Sequence, residues 1–257
     1  MCASAGLIGQ PFDQYEAGGF AYGHWVSAAD APPIEPHGHT QAHFIFVTAG
    51  AFVSDARGGG SSPALIFNPA DTYHADHFER GGGFFSVTTP ALAQTFARDW
   101  RLPRDPSYVA AERAFVTLWR LMRASTRDAD AESLCLELMD AAGDGPKPDR
   151  AAPRWLATAC DLLRDAGAAD ARVGAVAAAV GVHPIHLARS FRRFLGCTPG
   201  EYLRAHRSHR AASALAKTRF SLAHIAADCG YADQSHLVRS FRDFYGVTPE
   251  QFRRALN

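Results

Sequence analysis

The spacing of hydrophobic positions changes twice along the chain, and each change marks a different kind of element. Between about residues 20 and 90, apolar residues come in short runs rich in Phe, Ile and Val, notably 42–53 and 64–69. These runs are separated by the turn-forming stretch 55–63, which holds Gly58, Gly59 and Gly60, and followed by another break at 81–83. Short β-branched and aromatic runs punctuated by glycine predict an all-β barrel or sandwich. From 91 to 142 the period lengthens. Ala111, Phe115, Leu118 and Met122 recur at helical spacing, as do Leu134, Leu138 and Ala141. A helix pair is expected there, packed on the barrel or forming the interface of a homodimer.

Residues 143–153, GDGPKPDRAAP, carry three prolines, two glycines and four charges. Neither a helix nor a strand suits that composition, so the segment reads as a linker between a unit at 1–142 and one at 154–257. Beyond it only helices are expected, over 154–166, 173–180, 184–195, 199–217, 222–229, 234–245 and 249–256. The fold class is therefore α+β, a small β-barrel with trailing helices followed by an all-α unit.

The all-α unit repeats itself. Residues 187–204 read LARSFRRFLGCTPGEYLR and residues 237–254 read LVRSFRDFYGVTPEQFRR, an offset of 50. Upstream, VAAAVG at 176–181 is echoed by IAADCG at 225–230. Each copy reads as helix, glycine turn, helix. Leu187, Phe191 and Phe194 share one face of the second helix, as do Leu237, Phe241 and Phe244 in the other copy. Opposite them lie Ile185, Ala188, Arg189 and Arg192 in one copy and Ser235, Val238, Arg239 and Arg242 in the other. Gly196 and Gly246 suit left-handed helix ends, and Thr198-Pro199 and Thr248-Pro249 suit helix starts. A short helix with a small, partly basic outer face after a tight turn is what insertion into a DNA major groove requires. The 19-residue connecting helix at 199–217 spans about 28 Å, comparable to the ~34 Å turn of B-DNA.

Charge sharpens this reading. The chain is neutral overall, but residues 1–149 carry 10 Lys+Arg against 18 Asp+Glu, and residues 150–257 carry 16 against 8. A basic C-terminal half beside an acidic N-terminal half points to a polyanionic partner for the former. Five widely spaced cysteines with no C-x-x-C pair fit reduced thiols in a cytosolic protein. No basic segment followed by a long apolar run opens the chain, and no stretch approaches ~18 uninterrupted apolar residues. A cytoplasmic location and no membrane partner are expected.

The stretch IAADCGYADQSHLVRSFRDFYGVTPEQFR, and nearly as well VAAAVGVHPIHLARSFRRFLGCTPGEYLR, resembles the DNA-binding domain of AraC/XylS-type transcription regulators over about 155–254. The resemblance implies a double helix-turn-helix domain that binds promoter or operator DNA and works with RNA polymerase. It places base-reading positions at Ile185, Ala188 and Arg189 in the first copy, and at Gln234, Ser235, Val238 and Arg239 in the second. Arg192, Arg193 and Arg242 are candidate phosphate contacts. The first recognition helix offers few polar groups besides Arg189, so phosphate contacts and DNA shape are expected to matter more there.

The acidic half holds six of the twelve histidines. His37 and His39 would share a strand face, His43 keeps the even spacing, and a later strand would bring His74 beside them. Imidazoles converging in this number suit a divalent transition metal such as zinc, nickel or iron. They equally suit hydrogen-bonded histidines lining an effector pocket. The region at about 20–90 resembles a cupin barrel, the usual sensor domain of the family. The resemblance maps H-x-H-x-x-x-E onto His37, His39 and His43, with histidine replacing the glutamate. It maps P-x-G-x-x-H onto Pro69 and His74, with Asp71 replacing the glycine. The function expected is a regulator whose N-terminal barrel senses a small molecule or metal ion, and no enzyme. The alternative is a metal-dependent cupin enzyme fused to a DNA-binding domain.

Overall fold

The strands richest in apolar residues are buried on both faces, as the middle layer of a three-layered arrangement must be. These are β2 (Phe20–Ser27), β4 (His43–Ala49) and β10 (Gly82–Thr88). The computed structural model describes residues 10–32, 34–55, 60–61, 64–68, 70–88, 108–123, 128–142, 152–165 and 173–256. With β1 (Gln10–Ala17) and β7 (Ala64–Asn68) these strands form an antiparallel sheet in the order β1-β2-β10-β4-β7. Two smaller sheets accompany it. One pairs β3 (His37–Gly38) with β8 (Tyr73–His74); the other runs β6 (Gly60–Ser61), β5 (Ala51–Ser54), β9 (Asp76–Phe78).

Alternation along the strands sends successive side chains to opposite faces. Trp25, Ile45, Val47, Ile66 and Phe84 meet Phe52 and Phe78 of the three-stranded sheet in an apolar interior. The Trp25 indole N–H donates to Ser86 Oγ at 2.8 Å there. Tyr22, Phe44, Phe46, Phe85 and Val87 face the other way and join the helical core. Among the described residues the large sheet is open, with β1 and β7 as its edges. A closed barrel was expected. What forms instead is sheet against sheet, because burial of this one interior face is completed by the small β5–β6–β9 sheet.

Two glycine-bearing stretches behave differently from expectation. The run 42–53 breaks at Gly50, whose φ of 86° lies in the left-handed region. Gly82 and Gly83 lie inside β10 rather than in a turn. A Cβ on Gly82 would collide with the Phe78 ring, so this glycine serves close approach.

The helices are α1 (Tyr108–Arg123), α2 (Asp128–Ala142), α3 (Arg154–Asp165), α4 (Val173–Ala179), α5 (Pro184–Leu195), α6 (Pro199–Lys217), α7 (Leu222–Cys229), α8 (Gln234–Tyr245) and α9 (Pro249–Leu256). The last seven agree with expectation to within one residue at each end. The expected linker at 143–153 lies outside the described residues apart from its last two. α1 and α2 pack on each other; α1 reaches α5, α6 and α8, and α2 reaches β1. The apolar faces expected to cover the sheet or a second subunit are thus used within the chain. Cys135, Cys160, Cys197 and Cys229 are buried. Among the described residues no helix is long and apolar enough to cross a membrane.

Candidate functional site

The two C-terminal repeats are built alike down to their caps. The turns before α5 and α8 contain Gly181 (φ 71°) and Gly230 (φ 85°). Asp233 caps α8, its carboxylate accepting the His236 N–H at 2.6 Å. His183 does the same for α5, its Nδ1 accepting the Ile185 N–H at 3.3 Å. Gly196 and Gly246 close the two helices in left-handed conformation. Reciprocal caps start the next helices. Glu201 N–H donates to Thr198 Oγ1 and Thr198 N–H to Glu201 Oε2. Gln251 and Thr248 repeat the pattern.

This construction fixes which side of α5 and α8 meets solvent. Leu187, Phe191, Phe194, Leu237, Phe241 and Phe244 are buried, as expected. Ile185, Arg189, Arg192, Arg193, Gln234, Ser235, Arg239 and Arg242 are exposed, and Ala188 and Val238 are half-buried. Ile185 is 57% exposed, a large apolar side chain with nothing over it. Among the described residues Arg189 and Arg239 have no ion-pair partner. Both helices therefore present an uncommitted guanidinium at equivalent positions.

The histidines assemble on the opposite side of the large sheet. β3 pairs with β8 so that His37 stands directly across from His74. His39 follows β3, and His43 starts β4 on the same interior face as Ile45 and Val47. One ring nitrogen each of His37, His39 and His74 lies within 4.8 Å of the others. His37 Nε2 is 3.1 Å from His39 Nε2. His37 Nδ1 donates to the Glu35 carbonyl at 2.9 Å, and His74 Nδ1 donates to the Thr72 carbonyl at 3.0 Å. Those partners assign the tautomer, leaving both Nε2 atoms as lone-pair donors. His43 is fully buried and contacts the Asn68 side-chain amide at 3.2 Å. Burial and neighbouring imidazoles lower His39 to about 4 and His43 to about 3, so both are neutral at pH 7. Asp71, standing where the cupin pattern has glycine, adopts φ 59°. Short Asp side chains tolerate that region. His24 and His77 stay outside the cluster.

Residues 176–255 match the family described as a helix-turn-helix domain. A helix-turn-helix domain thus makes up most of the C-terminal unit. No curated protein matches the chain. Among solved structures, the chain is similar to the C-terminal domain of AraT, a response regulator from Geobacillus stearothermophilus. The identity is 26% over 41% of this chain and 88% of that one, with a TM-score of 0.39. An AraC-type regulator from Chromobacterium violaceum is 28% identical over 39% and 89%, TM-score 0.37. ToxT from Vibrio cholerae is 10% identical over 93% and 99%, TM-score 0.41.

The helix-turn-helix domain is packed directly onto the N-terminal unit through residues the sequence did not single out. Glu112 of α1, nearly buried, binds Arg164 of α3 and lies 3.4 Å from His206 of α6. Burial alone would raise this carboxyl, but the His206 and Tyr202 hydrogen bonds and the Arg164 charge hold it below the usual range. Phe115 stacks on His206 at 4.3 Å and meets Phe46 of β4 at 5.4 Å. Trp119 meets Phe244 of α8 at 5.5 Å. Arg242, expected at phosphate, lines a crevice of about 100 Å³ with Tyr15, Tyr22, His24 and Phe85. A buried carboxylate on a helix that is otherwise apolar inward was the available sign of Glu112.

Proposed function

We propose that the protein is a sequence-specific regulator whose N-terminal sheet unit senses an effector at the His37/His39/His74 cluster. In this reading α5 and α8 enter successive major-groove segments of a promoter duplex. Arg189 and Arg239 read base edges with Gln234 and Ser235, Ile185, Ala188 and Val238 supply apolar contact, and Arg192 and Arg193 neutralise phosphates. The observation that carries it is the pair of equivalent, exposed arginines without ion-pair partners, on two helices capped at equivalent positions. RNA polymerase is the partner through which such binding acts on transcription.

For the sensing site, a divalent transition metal such as zinc, nickel or iron is the ligand whose chemistry the donors fit. Three imidazoles converge, and two of them have backbone carbonyls fixing the tautomer that ligation needs. A bound ion would supply positive charge and an open coordination position to hold an effector. His37, His39 and His74 would hold it. Coupling to DNA has a short physical route. His43 faces the cluster side of β4, while Phe44 and Phe46 on its other face pack against the helices, Phe46 meeting Phe115 and His209 of the connecting helix α6. An effector that favours one packing of β4 on α6 shifts the spacing of the two units only by its difference in affinity between the arrangements.

The test is DNA binding by the full chain across salt concentrations, with and without chelator, for wild type and His37→Ala. Steeply salt-dependent, sequence-selective binding that chelator or His37→Ala alters is expected. Sequence-blind or salt-independent binding would remove the DNA-reading role. Binding indifferent to both chelator and His37→Ala would remove the sensing role. Metal-dependent turnover of a small molecule without a change in DNA binding would favour the enzyme alternative.

A further inference from the structure

We propose that helix α1 of the N-terminal unit is a brace that fixes the spacing at which α5 and α8 meet a duplex, with Glu112 and Trp119 as its positioning residues. This rests on the reading of α5 and α8 as the DNA-reading helices and adds what sets their separation on the operator.

Each reading helix belongs to its own small group. α5 packs with α3 and α4, and α8 with α7 and α9. The connecting helix α6 touches both groups. Two bodies resting on one rod keep their distance along it, but they can still roll about it, and long helices bend. Roll matters at DNA. One base pair added between two sites moves the second by about 3.4 Å and turns it by about 35° around the duplex axis. Units free to roll follow that turn. Units held at a second point, away from the rod, cannot.

α1 supplies the second point, since it packs on α5, α6 and α8 together. Glu112, Phe115 and Trp119 stand at i, i+3 and i+7, so they share one face of the helix. All three are buried, and each holds a different body. Glu112 pairs with Arg164 of α3, in the first group. Phe115 stacks on His206 of the connecting helix, with ring centroids 4.3 Å apart. Trp119 lies against Phe244 near the end of α8, in the second group, at 5.5 Å. Seven residues of helix set the two outer grips about 10 Å apart along α1.

The grips differ in kind. Apolar surfaces slide over one another at little cost, whereas a carboxylate shared between a guanidinium and an imidazole accepts few arrangements. Glu112 turns one oxygen to Arg164 and the other to His206. Arg164 donates in turn to the Tyr202 hydroxyl of α6 at 3.3 Å. These polar contacts seat the first group on α1 and α6, and Trp119 holds the second group to the same α1. Phe46 of β4 backs Phe115 at 5.4 Å, so the brace itself rests on the sheet. The N-terminal unit thereby takes part in choosing the operator, by its spacing rather than its bases.

The experiment measures affinity of the full-length protein for duplexes carrying the two sequence elements that wild type selects from a random pool. The elements are placed at the selected spacing and with one base pair added or removed between them. Wild type should lose at least about 10-fold at either altered spacing, because a displaced element forfeits several base contacts and one mismatch alone commonly costs about that much. Glu112→Leu and Trp119→Ala should halve this penalty in free energy, to about 3-fold. Base preference within each element should stay as in wild type. Glu112→Gln, which can still accept from Arg164, should keep the wild-type penalty. So should Arg113→Ala, whose side chain pairs with Asp140 of α2 outside this face. A general loss of stability lowers affinity at all three spacings alike, so their ratio reads positioning alone. If Trp119→Ala does not fold, Glu112→Leu decides, since it keeps the side-chain volume and leaves Arg164 paired with Asp161. Either variant retaining the wild-type ratio removes its residue from the brace. Both retaining it overturns the brace and leaves the DNA-reading role standing. Wild type binding all three spacings alike also overturns it. Failure of wild type to select any sequence overturns the reading on which the brace rests.

Discussion

At the scale of single residues, the two halves of the proposed DNA-facing surface are unequal. Arg239 has Gln234 and Ser235 beside it as polar neighbours, whereas Arg189 sits among Ile185 and Ala188. Base reading should therefore be concentrated in the second unit, with phosphate contact and duplex shape contributing more at the first. Replacing Arg239 by alanine should cost about 1–3 kcal/mol and relax preference at one base position. Competition binding against single-base operator variants measures both, and unchanged discrimination would take Arg239 out of the reading set. Arg192→Ala should weaken binding to all sequences alike and reduce the salt slope by about 1. Most of these side chains were evident from the repeat, because helical periodicity alone decides which face is outward.

Among elements, the helices were readable nearly to the residue and the strands were not, for a physical reason. The stop and start signals of α5 to α9 are local: Gly196, Gly246, Thr198-Pro199 and Thr248-Pro249 act within a turn of themselves. Strand limits depend on partners far away in sequence. Gly82 belongs to β10 because Phe78 and the Ala49 carbonyl crowd it, which no neighbouring residue reveals. For the same reason a barrel and an open sheet with a small facing sheet read alike in sequence. Since caps carry this local information, Asp233→Ala should destabilise the domain by about 0.5–2 kcal/mol. Urea denaturation followed by circular dichroism measures it, and an unchanged midpoint would mean the cap is redundant. Gly230→Ala should cost more than Gly181→Ala. Both glycines have positive φ, but a Cβ at 230 would also press on the Arg207 guanidinium at 2.9 Å, while at 181 it meets nothing.

For the whole molecule, the feature with most consequence is that one hydrophobic core runs from the sheet through α1 into the helix-turn-helix domain. Sequence reading divided the chain at 143–153 and gave no sign of this contact, because part of it is polar: Glu112, His206 and His209 do not advertise an apolar face. Removing Glu112 by alanine strands His206 in the interior and should cost about 1–3 kcal/mol, the usual penalty of an unsatisfied buried group. The histidines of this junction also set a pH dependence. Burial lowers His24 and His209 to about 3 each. In the unfolded chain both bind protons below about 6.5, and in the fold they do not. Their contribution is thus full above pH 6.5 and is lost as pH falls towards 3, by about 1.4 kcal/mol per pH unit for each histidine. Denaturation midpoints at pH 7.5, 6.0 and 5.0 should fall in that order; a flat profile would mean these imidazoles reach solvent.

The most direct test of the central claim is selection of bound duplexes from a random pool by the full-length protein, repeated with Arg189→Ala and Arg239→Ala. Two sequence elements are expected, centred about 10–10.5 base pairs apart, with each variant blurring one element and sparing the other. A single element, a spacing that varies freely, or both variants blurring the same positions would contradict the account.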